Sequence, residues 1–299
     1  MRNKDCISRC LHILCRLKRD QKATFAQIQH YLSDMSILTG EDYNISIRTF
    51  QRDLETIREL FLIDIRYLRN EGVYYFSEEF ANDLLSERLV ESLEVFHSLK
   101  MMDNLSDIFH FETRPPLGTH HLTNMITAIK NKRIIKLVYN KNWERNYSER
   151  TVLPLLLKEF KGRWYVVAKR IDNDEIRTYS LDRIVEFSIL EKRATNTEDL
   201  SGYFQHSFGI YGSNTLLPHE VILKFSSEAG RFVKEATLHH SQAVISDTAT
   251  AFTIRLNLLI TFDFVMEILS YGEQIEVLSP PELRIQIAET LKKAAEKYK

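Results

Sequence analysis

The spacing of apolar residues changes period along the chain, and each change marks a different kind of element. In residues 5–19, Cys6, Ile7, Cys10, Leu11, Leu14, Cys15 and Leu17 recur at the three-and-four spacing of an amphipathic helix. Thr24-Phe25-Ala26-Gln27 has the form of a capping box, which predicts a second helix to about Met35. A polar loop with Gly40 follows, and Ser46 caps a third helix over residues 47–60. Ile47, Phe50, Leu54 and Ile57 fall on one side of that helix. Arg48, Thr49, Arg52, Glu55, Thr56 and Glu59 fall on the other. Asp53 lies beside the apolar sector, where a structural salt bridge is expected. Residues 61–67 and 73–76 then read as a hairpin around Arg69-Asn70-Glu71-Gly72. Three helices and a hairpin, in residues 1–77, give the order of a winged helix-turn-helix.

Residues 78–111 return to a helical pattern through Leu84, Leu85, Leu89, Leu93, Phe96, Leu99 and Met102. Met101, Met102, Phe109, His110 and Phe111 are apolar or aromatic beyond what a monomer readily uses. Residues 78–131 therefore read as a helical spacer and dimer contact, with packing onto the chain's own barrel as the alternative. Pro115-Pro116-Leu117-Gly118 breaks the helix, and a short helix over 120–131 leads onward.

From there the period becomes two. Strands are predicted over 134–139, 149–157, 163–170, 176–181 and 184–190, with Pro154 placing an edge or bulge in the second. Turns fall at Lys161-Gly162 and Asp172-Asn173-Asp174. Five short antiparallel strands in residues 132–193 suit an SH3-like or Sm-like barrel. A connector with Tyr203, Phe204, Phe208 and Tyr211 follows. The rest of residues 194–299 alternates β-α-β-β-α-β-α, the order of a ferredoxin-like unit. The fold class expected is α+β and multidomain, as a length of 299 residues also implies.

Charge sharpens this division. The chain's formal net charge is only −1, but residues 132–193 hold fifteen Lys and Arg against nine Asp and Glu, a net +6. The predicted barrel is thus the most basic block, which points to an anionic partner. Within it Arg163, Arg170, Arg177 and Arg183 interleave with Trp164, Tyr165 and Tyr179. On the third helix, cations occupy the first turns and acids the last, the gradient expected where N-terminal turns enter a major groove. An ordinary solvated helix face gives the same charges.

No apolar run reaches the roughly 20 residues of a membrane span. The basic N-terminus is spaced as a helix and broken by His12 and Arg16, unlike a signal peptide. The three cysteines, Cys6, Cys10 and Cys15, share one predicted helix, which suits packing in a reducing cytoplasm better than disulfides or a metal site. Phosphate-binding loops, paired metal-ligand motifs and nucleophile elbows are absent from the sequence, so neither an enzyme nor a cofactor is expected. His120-His121, His239-His240 and Glu235 would make a poor zinc site if adjacent histidines point to opposite faces of a strand.

The chain resembles the WYL-domain helix-turn-helix transcriptional regulators of bacteria over almost its whole length. The tripeptide of that family reads here Trp164-Tyr165-Val166, a conservative departure at its third position. Tyr139, Arg150 with Pro154, Arg177-Thr178-Tyr179 and Leu181-Asp182-Arg183-Ile184 stand at the family's spacing. Ser46-Ile47-Arg48-Thr49 followed by Arg52-Asp53-Leu54 resembles its recognition helices. The resemblance implies a homodimeric, ligand-responsive regulator that binds a double-stranded DNA operator. It also implies that the barrel takes a nucleotide, oligonucleotide or other small anionic effector.

Expected DNA contacts are Ser46, Arg48, Thr49 and Arg52, with Arg66 and Arg69 on the wing. Expected effector contacts are Tyr139, Arg150, Tyr165, Arg177, Tyr179 and Arg183. Arg177 and Tyr179 are two residues apart on one strand and share a face, which pairs a phosphate clamp with a stacking surface. Trp164 is assigned to the core. A lattice of Arg–Asp pairs holding the strands, with Asp182 as one member, is the structural alternative. An RNA- or single-strand-binding module, and more remotely a nucleotide-processing enzyme, remain the other readings.

Overall fold

A computed structural model describes residues 2–77, 88, 90–93, 95, 117–141, 147–194 and 198–299. Most of the expected spacer and dimer contact, including Met101, Met102 and residues 109–116, lies outside the described residues. The chain divides into two units, residues 1–113 and 114–299.

In the first unit, α1 (Arg2–Asp20) and a short strand β1 (Lys22–Thr24) precede α2 (Phe25–Thr39) and α3 (Ile47–Phe61). The strands β2 (Ile65–Leu68) and β3 (Val73–Phe76) follow. The capping box at α2 is present: the Thr24 hydroxyl accepts from the Gln27 amide, and Gln27 accepts from the Thr24 amide at 2.8 Å. The three-residue β1 was not legible in the sequence. It pairs with β3 to give the order β1-β3-β2. Residues 61–64, expected as strand, are not. Phe61 completes the last turn of α3, and Leu62 takes a left-handed C-cap before β2 can begin. Leu14 and Leu17 of α1, Ile28 and Leu32 of α2, and Phe50 and Ile57 of α3 form the core with Tyr43 and Ile45. His12 is buried in it, its ring 4.7 Å from that of Tyr43.

In the second unit, Gly118 has a φ of +68°, which only glycine adopts without strain. Its backbone lies directly against Leu181 and Asp182. Helix α4 (Leu122–Lys130) seats Met125 and Ala128 on a five-stranded antiparallel sheet. Its strands are β4 (Arg133–Asn140), β5 (Tyr147–Phe160), β6 (Arg163–Arg170), β7 (Ile176–Ser180) and β8 (Ile184–Arg193). The order is β7-β6-β5-β4-β8, so the last strand returns to pair with the first. Strand β5 outruns its expected length because a register shift between Pro154 and Leu156 bends it without ending it.

After the connector come β9 (His219–Ser226), α5 (Ser227–Glu235), β10 (Ala243–Asp247), β11 (Ala251–Leu258), α6 (Phe262–Ser270), β12 (Ile275–Ser279) and α7 (Pro281–Glu296). The sheet order is β10-β11-β9-β12. Val221, Leu223, Phe225, Ile254, Leu256 and Phe264 fill its core, and Phe160 from β5 joins them. Adjacent histidines do not point apart as expected. His239 and His240 lie outside any strand, and their ring centroids stand 3.9 Å apart. Burial and the neighbouring His240, His206 and Lys158 pull the His239 pKa down to about 4. The fold is α+β with several antiparallel sheets. Among the described residues no helix is long and apolar enough to cross a membrane.

Candidate nucleic-acid interface and anion site

Two arrangements carry the chemistry. The first is the outer face of α3. Ser46 caps the helix by accepting from the Thr49 amide, and the Ser46 and Thr49 hydroxyls meet at 3.1 Å. One turn on, Asp53 is 2% exposed and gripped by Arg9 of α1. The Arg9 guanidinium donates from Nε to Oδ2 at 2.6 Å and from Nη2 to Oδ1 at 2.7 Å. This is the salt bridge expected of Asp53, and it raises the Arg9 pKa. The Cys6 and Cys10 thiols approach the same residue at 3.6 and 3.7 Å. The three would-be metal ligands, Cys6, Cys10 and Asp53, lie within 4.8 Å of one another. Arg9 already holds both carboxylate oxygens, however, and burial pushes the Cys10 thiol far up. A metal would have to displace a guanidinium and ionise a buried thiol.

So anchored, α3 exposes Arg48, Gln51, Arg52, Glu55 and Glu59. Ile47, expected in the core, is 46% exposed. It is the first helical residue, at the edge of a buried sector that Phe50, Asp53 and Ile57 define. Among the described residues neither Arg48 nor Arg52 forms an ion pair, and Arg69 at the hairpin turn forms none either. Arg66 does: Asp64 takes Arg66 at 3.0 Å and Arg58 at 2.7 Å. Arg66 first, then Arg58, hold the Asp64 pKa down.

The second arrangement is on the five-stranded sheet. Residues opposite each other across a ladder share a face. Leu137 stands opposite Arg150, Val152 opposite Arg170, Ala168 opposite Arg177 and Val166 opposite Tyr179. That face is the hydrophobic core, and Arg150, Arg170 and Arg177 close one end of it. Burial raises the Tyr179 pKa, and the charges of Arg170, Arg150 and Arg177 oppose that rise only in part. Tyr139 crosses Tyr179 edge-to-face at 5.2 Å and accepts from the Ser180 amide at 3.3 Å. The Arg183 guanidinium lies 5.1 Å from the Tyr139 ring centre and donates to the Asn140 carbonyl at 2.9 Å.

Five of the six expected effector residues therefore gather at this end, with two corrections. Tyr179 is only 7% exposed, so its ring belongs to the core and not to an open stacking surface. Tyr165 is buried on the opposite face, paired across from Ser180. Trp164 shares the core face and is partly buried. The lattice alternative holds for Arg163, which pairs with Asp182 at 2.5 Å.

Arg170 was visible in the sequence as one of four arginines, but only the pairing register shows that it joins Arg150 and Arg177. It is clamped by Asp172, while Arg177 pairs with Glu175 at 2.6 Å and remains exposed. Arg150 has no ion pair among the described residues. Arg177 also borders a cleft of 630 Å³ between β7 and the connector, lined by Thr178, Tyr203 and Tyr211 among others. Of the connector aromatics, Tyr203 and Tyr211 wall this cleft, whereas Phe208 joins the core of the C-terminal sheet.

Comparison with family models matches residues 120–189 to the WYL domain and residues 217–295 to the WCX domain. No curated protein matches the chain. Among solved structures, proteasome accessory factor B/C (PafBC) of Arthrobacter aurescens is similar at 16% identity over 86% of this chain, with a TM-score of 0.27. This chain spans 44% of that chain's length. A structure described as a CRISPR Cas-related protein is similar at 13% identity, over 98% of this chain and 84% of that one, with a TM-score of 0.41. The sheet that gathers the arginines falls largely within the stretch similar to the WYL domain, and the four-stranded sheet after the connector falls within the stretch similar to the WCX domain.

Proposed function

We propose that the protein is a ligand-responsive, DNA-binding transcriptional regulator that acts by binding and not by catalysis. The element order α1-β1-α2-α3-β2-β3 is read as a winged helix-turn-helix with α3 as recognition helix. The observation that carries this reading is the contrast among arginines. Arg9, Arg58 and Arg66 are held by carboxylates, whereas Arg48 and Arg52 stand exposed on the first turns of a helix anchored from behind. Such groups suit phosphates or guanine edges. The regulator is read as a cytoplasmic homodimer whose two heads address an operator of two half-sites.

The five-stranded sheet is read as an SH3- or Sm-like barrel, and the C-terminal sheet as a ferredoxin-like unit. In the barrel the effector is a nucleotide or oligonucleotide whose phosphate oxygens replace Asp172 and Glu175 on Arg170 and Arg177, and Arg150, which has no carboxylate to displace among the described residues and donates to the Glu149 carbonyl, joins them. Capture there changes the spacing or freedom of the two reading heads.

The test selects duplexes bound by the full chain from genomic fragments. Arg48→Ala with Arg52→Ala is expected to weaken binding of the selected duplex by roughly 100-fold with unchanged thermal melting, through loss of two charge-assisted contacts of about 1.5 kcal/mol each. Unchanged binding by the double variant would remove α3 from the reading. For the effector, Arg177→Ala should weaken binding of a short single-stranded oligonucleotide by roughly tenfold, through loss of one charge-assisted contact. If it binds as tightly as the parent chain, the barrel site is wrong. If single strands bind well and no duplex is selected, the barrel is the main nucleic-acid surface.

A further inference from the structure

On α3, residues four apart form ridges, and two ridges face outward side by side. One carries Arg48 and Arg52. The other carries Ile47, Gln51 and Glu55. All five are exposed, and none of the five side chains makes an ion pair or a hydrogen bond among the described residues. The ridges differ sharply in chemistry. The first is purely cationic. The second begins with an apolar side chain, continues with a free amide, and ends with a carboxylate.

A helix lying in a major groove meets the phosphate wall along one side and the base edges along its floor. The cationic ridge suits the wall, because guanidinium groups gain there whatever the sequence. The Ile47–Gln51 ridge cannot gain from phosphates. An isoleucine methyl gains only against another apolar group, and a free carboxamide pairs bidentately with adenine N6 and N7. Glu55 and Glu59 repel the backbone, so only the first two turns enter. Resting on the reading of α3 as a DNA-contacting helix, we infer that Gln51 and Ile47 set base specificity. Gln51 reads an adenine, and Ile47 packs on the 5-methyl of a neighbouring thymine. Each operator half-site then contains an A and a T at adjoining positions on the groove floor, and Arg48 and Arg52 hold the register.

The experiment enriches duplexes from a randomised library with the full chain and with Gln51→Ala and Ile47→Ala. Both substitutions are at exposed positions, and melting curves check that the variants fold. The parent is expected to enrich a motif with one adenine that Gln51→Ala no longer selects, a loss of roughly 5- to 100-fold in discrimination at that position alone. Replacing the neighbouring thymine by deoxyuridine, which lacks only the methyl, should weaken the parent by roughly fourfold, the value of one buried carbon. Ile47→Ala should bind both duplexes alike. If Gln51→Ala keeps the adenine, or Ile47→Ala still prefers thymine to deoxyuridine, this assignment falls while DNA binding by α3 stands. If the parent enriches no duplex, the reading of α3 falls and this one falls with it.

Discussion

Asp53→Ala is expected to destabilise the N-terminal unit by about 2–4 kcal/mol, a large share of the stability of an ordinary domain. The substitution leaves the partly buried Arg9 guanidinium without a counter-charge, at a contact where the carboxylate is 2% exposed and both of its oxygens are bonded. It also removes the acceptor for the Cys6 thiol. Urea titration read by hydrogen exchange in residues 2–77 measures the loss. Replacing both partners, Arg9→Met with Asp53→Leu, should recover much of it, because the cost lies in the orphaned charge and not in the absence of a bridge. If Asp53→Ala costs less than about 1 kcal/mol, α3 is not anchored by this pair.

Gly118→Ala is expected to cost about 2–5 kcal/mol in the second unit, and Gly40→Ala only about 1 kcal/mol in the first. Both glycines have a left-handed φ, +68° and +70°. They differ in what surrounds them. A Cβ at Gly40 meets nothing within 4 Å, so only the backbone strain counts. A Cβ at Gly118 would strike the Leu181 carbonyl and lie 2.5 Å from the Asp182 nitrogen, and neither is a flexible side chain that can turn away. The comparison of melting curves for the two variants isolates close packing from conformation. Equal costs would show that the approach of Gly118 to the 181–183 turn is relaxed.

What the sequence revealed and concealed follows the range of the interactions. Local signals were read correctly: the capping box at Thr24, the cap at Ser46, the break at Pro154 and the alternation of strands and helices after residue 219. Each depends on residues a few positions apart. Strand β1 depends on pairing with β3 some fifty residues later, and three residues carry no periodicity of their own. Ile47 was misplaced because a helical wheel gives its direction but not that it precedes the first buried turn. Tyr179 and Arg177 do share a face, as their spacing requires. The sequence could not show that this face is the core, which buries the ring and leaves the guanidinium at its rim. Arg170 needed its register with Val152, and Gln51 became visible only when α3's outward ridges were fixed by Arg9.

The fourteen-residue β5 has a mechanical consequence. Its first half is hydrogen-bonded to β4 and carries Arg150, whereas its second half is bonded to β6 and ends at Phe160, 5.5 Å from the Phe208 ring. Ten residues of extended chain span about 33 Å and neither stretch nor shorten appreciably. The kink at Pro154 redirects the strand without adding slack. Its far end packs against the core that holds Phe208, Val221 and Phe264. A single strand thus ties the arginine-bearing sheet to the core of the C-terminal sheet.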